Sequence, residues 1–144
     1  MLDSGFLRFT SRDRSDPVAK AFLFRVSLLQ AAPNLDQFTA IEDGRLLILE
    51  NACVIAVPGA AQTITGMSLT LTDRSGNVVQ ILVDRREGFS AAGLGASFDR
   101  QWSGLVIPSS YRIDATGAFS AGAAANFLSL SIAGYTIPRG NFQP

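Results

Sequence analysis

The sequence predicts an all-β chain: an antiparallel β-sandwich of about eight strands, jelly-roll-like. Three observations carry this. Apolar residues recur with period two in several segments. Gly, Pro, Asn and Asp cluster between those segments. No segment shows a sustained helical period. Short antiparallel strands spaced by turns build sandwiches and jelly rolls. An immunoglobulin-like sandwich is the alternative, although its Cys–Trp–Cys mark is absent.

Residues 1–17 mix charges with Phe6, Leu7 and Phe9 and end at Pro17. They read as an arm or an irregular lead-in strand. Residues 21–29 (AFLFRVSLL) alternate, and Phe22, Phe24, Val26 and Leu28 form the core face. Residues 31–36 hold Pro33 and Asn34 and read as a loop. Asp43-Gly44 is a turn signal. The apolar runs 46–49 and 53–57 flank Glu50-Asn51, and are two strands or one bulged strand. Residues 63–72, the turn 73–77 (DRSGN) and residues 78–83 form the clearest hairpin. Met67, Leu69 and Leu71 are its core positions.

Residues 87–99 are rich in Gly, Ala and Ser and read as a long loop. Residues 101–107 form a strand ended by Pro108. Residues 111–119 form another, with a break at Gly117. Residues 127–137 (FLSLSIAGYTI) form a strong strand that buries Leu128, Leu130 and Ile132, and Gly134 marks a bulge. The expected organisation is an N-terminal arm at 1–17, a sandwich at 18–137 and an extended tail at 138–144. At 144 residues one domain is expected.

Composition narrows the function. Twelve basic residues balance twelve acidic ones, so the net charge is zero. A nucleic-acid binder usually shows a basic footprint. No histidine occurs, which excludes a Ser-His-Asp triad and imidazole metal ligands. One cysteine, Cys53, cannot form an internal disulfide or a thiolate zinc site. It reads as a small buried hydrophobe. Charged residues make up 17% of the chain, against roughly 25% in an ordinary domain. Either the core is large, or apolar surface is covered by a partner. No signal-peptide pattern and no apolar run of about 20 residues is present, so a soluble protein made in the cytoplasm is expected.

Catalytic motifs are missing too. Gly93-Leu-Gly95 leads to Phe98, which breaks a dinucleotide fingerprint, and no Gly-x-Ser-x-Gly elbow occurs. Asp73, Ser75 and Asn77 suit a hairpin turn better than a calcium loop. Asp84, Glu87, Asp99 and Asp114 could in principle pair as glycosidase carboxylates, but Asp beside Gly, Ser or Asn usually makes turns. The run 84–87 reads as a solvated strand end, or as a polar subunit contact. Trp102, Tyr111 and Tyr135 read as core rings; exposed, they would stack on sugars. No catalytic residue, metal or cofactor is expected.

The C-terminal third carries a resemblance. Residues 104–108 (GLVIP), 111–114 (YRID), a Gly/Ala-rich turn and the ending 133–141 (AGYTIPRGN) resemble small β-sandwich structural proteins of tailed bacteriophages. The resemblance implies a virion component, synthesised in the host cytoplasm. The leading role is a capsid decoration (cement) protein bound to the major capsid protein. A tail, neck, baseplate or fibre subunit is the alternative, and a carbohydrate- or receptor-binding module a further one. A homo-oligomer is expected, with a trimer as first guess, and neither nucleic acid nor membrane as partner. The contacts are expected at the termini, where aromatic and Arg anchors gather: Phe6, Phe9, Arg12 and Arg14 on the arm; Arg139, Asn141 and Phe142 on the tail.

Overall fold

Period-two alternation puts every second side chain on one face of a strand, so each strand must bury that face. The computed structural model describes residues 19–86 and 92–141. The strands are β1 (Lys20–Gln30), β2 (Asn34–Phe38), β3 (Arg45–Val57), β4 (Ile64–Thr72), β5 (Val78–Arg85), β6 (Ala96–Pro108), β7 (Arg112–Phe119) and β8 (Asn126–Pro138). They pair as a long hairpin: β4 with β5, β3 with β6, β2 with β7 and β1 with β8. Further pairing of β3 with β8 and of β4 with β7 rolls this ribbon into two sheets. The orders are β1-β8-β3-β6 and β2-β7-β4-β5, all neighbours antiparallel. This is a jelly roll, and it displaces the immunoglobulin-like alternative.

The core lies between the sheets. Leu47, Leu49, Ala52 and Val54 of β3, and Leu128, Leu130 and Ile132 of β8, meet Met67, Leu69 and Leu71 of β4 and Ile113 and Ala115 of β7. Each fully buried Leu or Ile contributes about 1.5–3 kcal/mol of transfer free energy. Phe22, Phe24 and Leu28 pack against this core from the edge strand β1. A second buried cluster, Leu46, Ile48, Tyr135 and Ile137, sits on the opposite face of the first sheet.

Several local expectations are corrected. Residues 34–36 belong to β2 rather than a loop, because β7 supplies the pairing partner that Pro33 and Asn34 conceal. Residues 45–57 are one bulged strand. Residues 96–99, read as loop, begin β6, with Ala96 opposite Ala56. β7 runs unbroken through Gly117, where a Cβ would press within 3.1 Å of the Phe119 ring. The bulge expected at Gly134 lies in its partner strand: Leu49 pairs with Gly134 and Asn51 with Ala133, which leaves Glu50 as the extra residue. Gly134 is needed for a different reason, since a Cβ there would collide with the Ile48 carbonyl. After Pro138 the chain makes a 3-10 turn, Arg139–Asn141, instead of an extended tail. It is anchored by the Arg139 N–H donating to the Gly44 carbonyl at 2.8 Å.

One end of the sandwich is tied by amides. Asn126 Oδ1 accepts from Gly59 N–H at 2.8 Å and from Gln62 Nε2 at 2.7 Å. Asn126 Nδ2 donates to the Ala32 carbonyl at 2.8 Å. The segments carrying Ala32 and Gly59 thereby join the start of β8.

Candidate interaction surfaces

Alternation leaves the outer face of the second sheet mostly polar, with Phe38 and Ile81 among its exposed apolar side chains. Register aligns its side chains in rows. Asp36, Thr116, Ser68 and Asp84 form one row across all four strands. Ser68 and Thr116 share a hydrogen bond between their hydroxyls. Phe38, Asp114, Thr70 and Ile81 form the next row. The first row borders a cleft of about 400 Å³ that also takes in Arg86. Arg86 Nε lies 3.2 Å from Asp84, so the basic and acidic groups at this rim offset each other.

A charged cluster braces the second row. Arg112 Nε lies 3.0 Å from Asp114 Oδ1 and donates to Thr72 Oγ1 at 3.1 Å. Thr72 Oγ1 donates in turn to Asp114 Oδ2 at 2.9 Å. The Arg112 guanidinium stands 4.2 Å above the Phe38 ring, which covers it. Burial pushes the Asp36 carboxyl above its ordinary range, the Asp114 charge adds to this, and Arg112 opposes both. The cleft offers hydroxyls and carboxylates to a polar ligand. Among the described residues lining it there is no aromatic platform for a sugar ring.

Phe38 and Ile81 are exposed apolar side chains on this face, and others lie along the sheet edges. Leu23 is 83% exposed and Leu29 68%, both on the outward face of β1. Val78, Val79 and Ile81 are exposed on β5. Among the described residues both are edge strands. Sequence reasoning set aside these five residues. The signal was present in β1, where Leu23 and Leu29 stand out of phase with Phe22, Phe24 and Leu28.

The expected contact residues fare differently. Phe6, Phe9, Arg12, Arg14 and Phe142 lie outside the described residues, as does Glu87. Arg139 is exposed in the 3-10 turn, and Asn141 closes that turn. Asp99 is on the outer face of the first sheet opposite Cys53, whereas Asp84 and Asp114 are in neighbouring rows on the outer face of the second. Asp99 and Asp114 cannot flank one glycosidic bond. Cys53, expected in the core, is half-buried on that first outer face, and burial pushes its thiol up. Asp73 makes the expected turn, accepting from the Ser75 and Asn77 N–H groups at 2.9 Å each. Trp102 packs half-buried against the core, with the Arg100 guanidinium 5.6 Å from its ring. Among the described residues no three His, Cys, Asp or Glu gather as metal ligands.

No protein-family model matches the chain, and no curated protein matches it. Solved structures give distant likenesses. Latent PorU of Porphyromonas gingivalis is 12% identical with a TM-score of 0.48, over 83% of this chain and 13% of that one. The VP2 subviral particle of infectious bursal disease virus is 16% identical with a TM-score of 0.40, over 89% and 34%. A family 22 carbohydrate-binding module of Clostridium thermocellum Xyn10B is 14% identical with a TM-score of 0.35, over 89% of both chains. The chain thus spans 13% of the PorU chain and about a third of the VP2 chain. At these scores the likenesses add nothing to the strand order, on which the jelly-roll assignment rests.

Proposed function

We propose that this chain is a non-enzymatic structural subunit of a virus particle, working through protein–protein contacts, with capsid decoration as its specific role. Jelly rolls of two four-stranded sheets are built into viral capsids, lectins and cupins. The likeness of residues 104–141 to phage structural proteins favours the first. The observation that carries the reading is the position of the exposed apolar side chains. Leu23 and Leu29 crowd an open sheet edge, where another chain can cover them. The missing histidine and the separation of Asp99 from Asp114 support a role without catalysis.

Light scattering on the purified chain at low and high salt tests this. A salt-resistant oligomer is expected, because apolar contacts are not screened. A monomer under all conditions contradicts self-assembly.

One observation favours a second reading, a carbohydrate- or receptor-binding module. The row Asp36–Thr116–Ser68–Asp84 gives a cleft of groups that can bind sugar hydroxyls. A glycan array with the wild type and with Asp36→Asn and Asp84→Asn decides it. Binding lost in either variant supports the module; no binding removes it.

A further inference from the structure

We infer that β1 is a self-pairing edge, and that two copies of this chain join through it about a two-fold axis into one continuous eight-stranded sheet. The inference rests on the reading of the chain as an assembly subunit and names its contact.

The four sheet edges are not alike. β2 is five residues long. β5 carries two register shifts against β4. β6 is broken against β3 where Leu49 pairs with Leu105 but Asn51 with Gln101, and Gly104 takes a φ of +107° there. Short strands and bulges are among the devices that stop edges from pairing. β1 has neither. Its eleven residues stay in unbroken register with β8, from Lys20 opposite Thr136 to Gln30 opposite Asn126. It contains no proline. Its inward-facing Phe22, Phe24, Val26 and Leu28 are only half-buried, so their flanks are open.

The sequence of β1 complements itself in one register. Opposite residues in an antiparallel pair share a face, so a two-fold axis must pass between the two copies of one residue. Centred on Val26, it sets Leu23 against Leu29 of the partner, and Leu29 against Leu23. Arg25 then faces Ser27, Phe24 faces Leu28, and Val26 meets itself. The two most exposed leucines of the strand cover each other twice. A centre at Arg25 would oppose two guanidinium groups, and like charges directly opposite are destabilising. A centre at Phe24 sets Leu23 against Arg25, and one at Ser27 sets Leu29 against Arg25. Of the registers centred from Phe24 to Ser27, the Val26 one alone sets leucine against leucine on the outer face. It differs from the trimer that the phage resemblance implies.

Cysteine cross-linking in the full chain reads the register. In a Cys53→Ser background, Leu23→Cys and Leu29→Cys are made singly and together, then treated with a short bis-maleimide. Both sites are exposed, so all three variants should fold. Within one chain the two thiols lie roughly 20 Å apart, beyond the reagent's reach. The double variant is expected to give a covalent dimer as its main product. A mixture of the two single variants should give one as well, and each single variant alone should give none. Failure of the double variant, or equal cross-linking of every variant, overturns the β1 contact. If the wild type is then still oligomeric by light scattering, only this contact falls. If it is a monomer, self-assembly falls with it.

Discussion

Gln62 Nε2 donates a hydrogen bond to Asn126 Oδ1 at 2.7 Å, joining residues 64 positions apart in the chain. Both side chains are buried, and Gln62 Oε1 accepts from the Ala124 N–H at 3.0 Å. This end of the jelly roll is closed by amides.

Asn126→Ala strands the Gly59 N–H, the Gln62 amide and the Ala32 carbonyl together. Buried groups left without partners cost about 1–3 kcal/mol each. Urea unfolding should show a loss of about 3 kcal/mol, since water entering the gap offsets part of the sum. A loss under about 1 kcal/mol would mean the amides do not tie these segments together.

Gly134→Ala tests the close approach of β8 to β3. The new Cβ has no room beside the Ile48 carbonyl, so backbone must move. Overpacking of this kind costs about 1–3 kcal/mol or more. Gly66→Ala is the control, because its Cβ meets nothing nearer than 3.6 Å. Thermal unfolding of the two variants should separate them clearly, with Gly134→Ala the less stable.

Asp73 gives a pH prediction. The Asn77 N–H, foremost among several hydrogen bonds, holds its carboxyl below the ordinary 3.8. A carboxyl lowered in the fold stabilises above its unfolded value and stops doing so as pH falls through the folded one. Asp73→Ala should therefore lower Tm at pH 7. The gap to the wild type should narrow below pH 3.8. A gap that is constant down to pH 2 would assign the effect to turn geometry alone.

Legibility in the sequence followed how local each signal was. β1 and the β4–β5 hairpin announced themselves, because alternation of Phe22, Phe24, Val26 and Leu28, and of Met67, Leu69 and Leu71, is set within a few residues. β2 was hidden, since Asn34–Phe38 is short and Pro33 precedes it; only its pairing with β7 makes it a strand. The start of β6 was hidden similarly at 96–99, where small and polar residues mimic a loop until β3 lies alongside. Glu50 as the extra residue could not be seen without the partner that Gly134 supplies. The surfaces were least legible. Thr72, Arg112 and Asp114 meet by register, and Leu23 is exposed because it faces outward from the edge strand β1.

The most direct measurement is the solution mass of the wild type beside Leu23→Lys/Leu29→Lys. The wild type is expected to be an even-numbered oligomer of the 15.3 kDa chain that survives high salt. The double variant should be a monomer with unchanged far-UV circular dichroism, since substitutions at exposed sites shift stability by only about 0.5 kcal/mol. A wild type that stays monomeric at every concentration, or a double variant that keeps the wild-type mass, would contradict it.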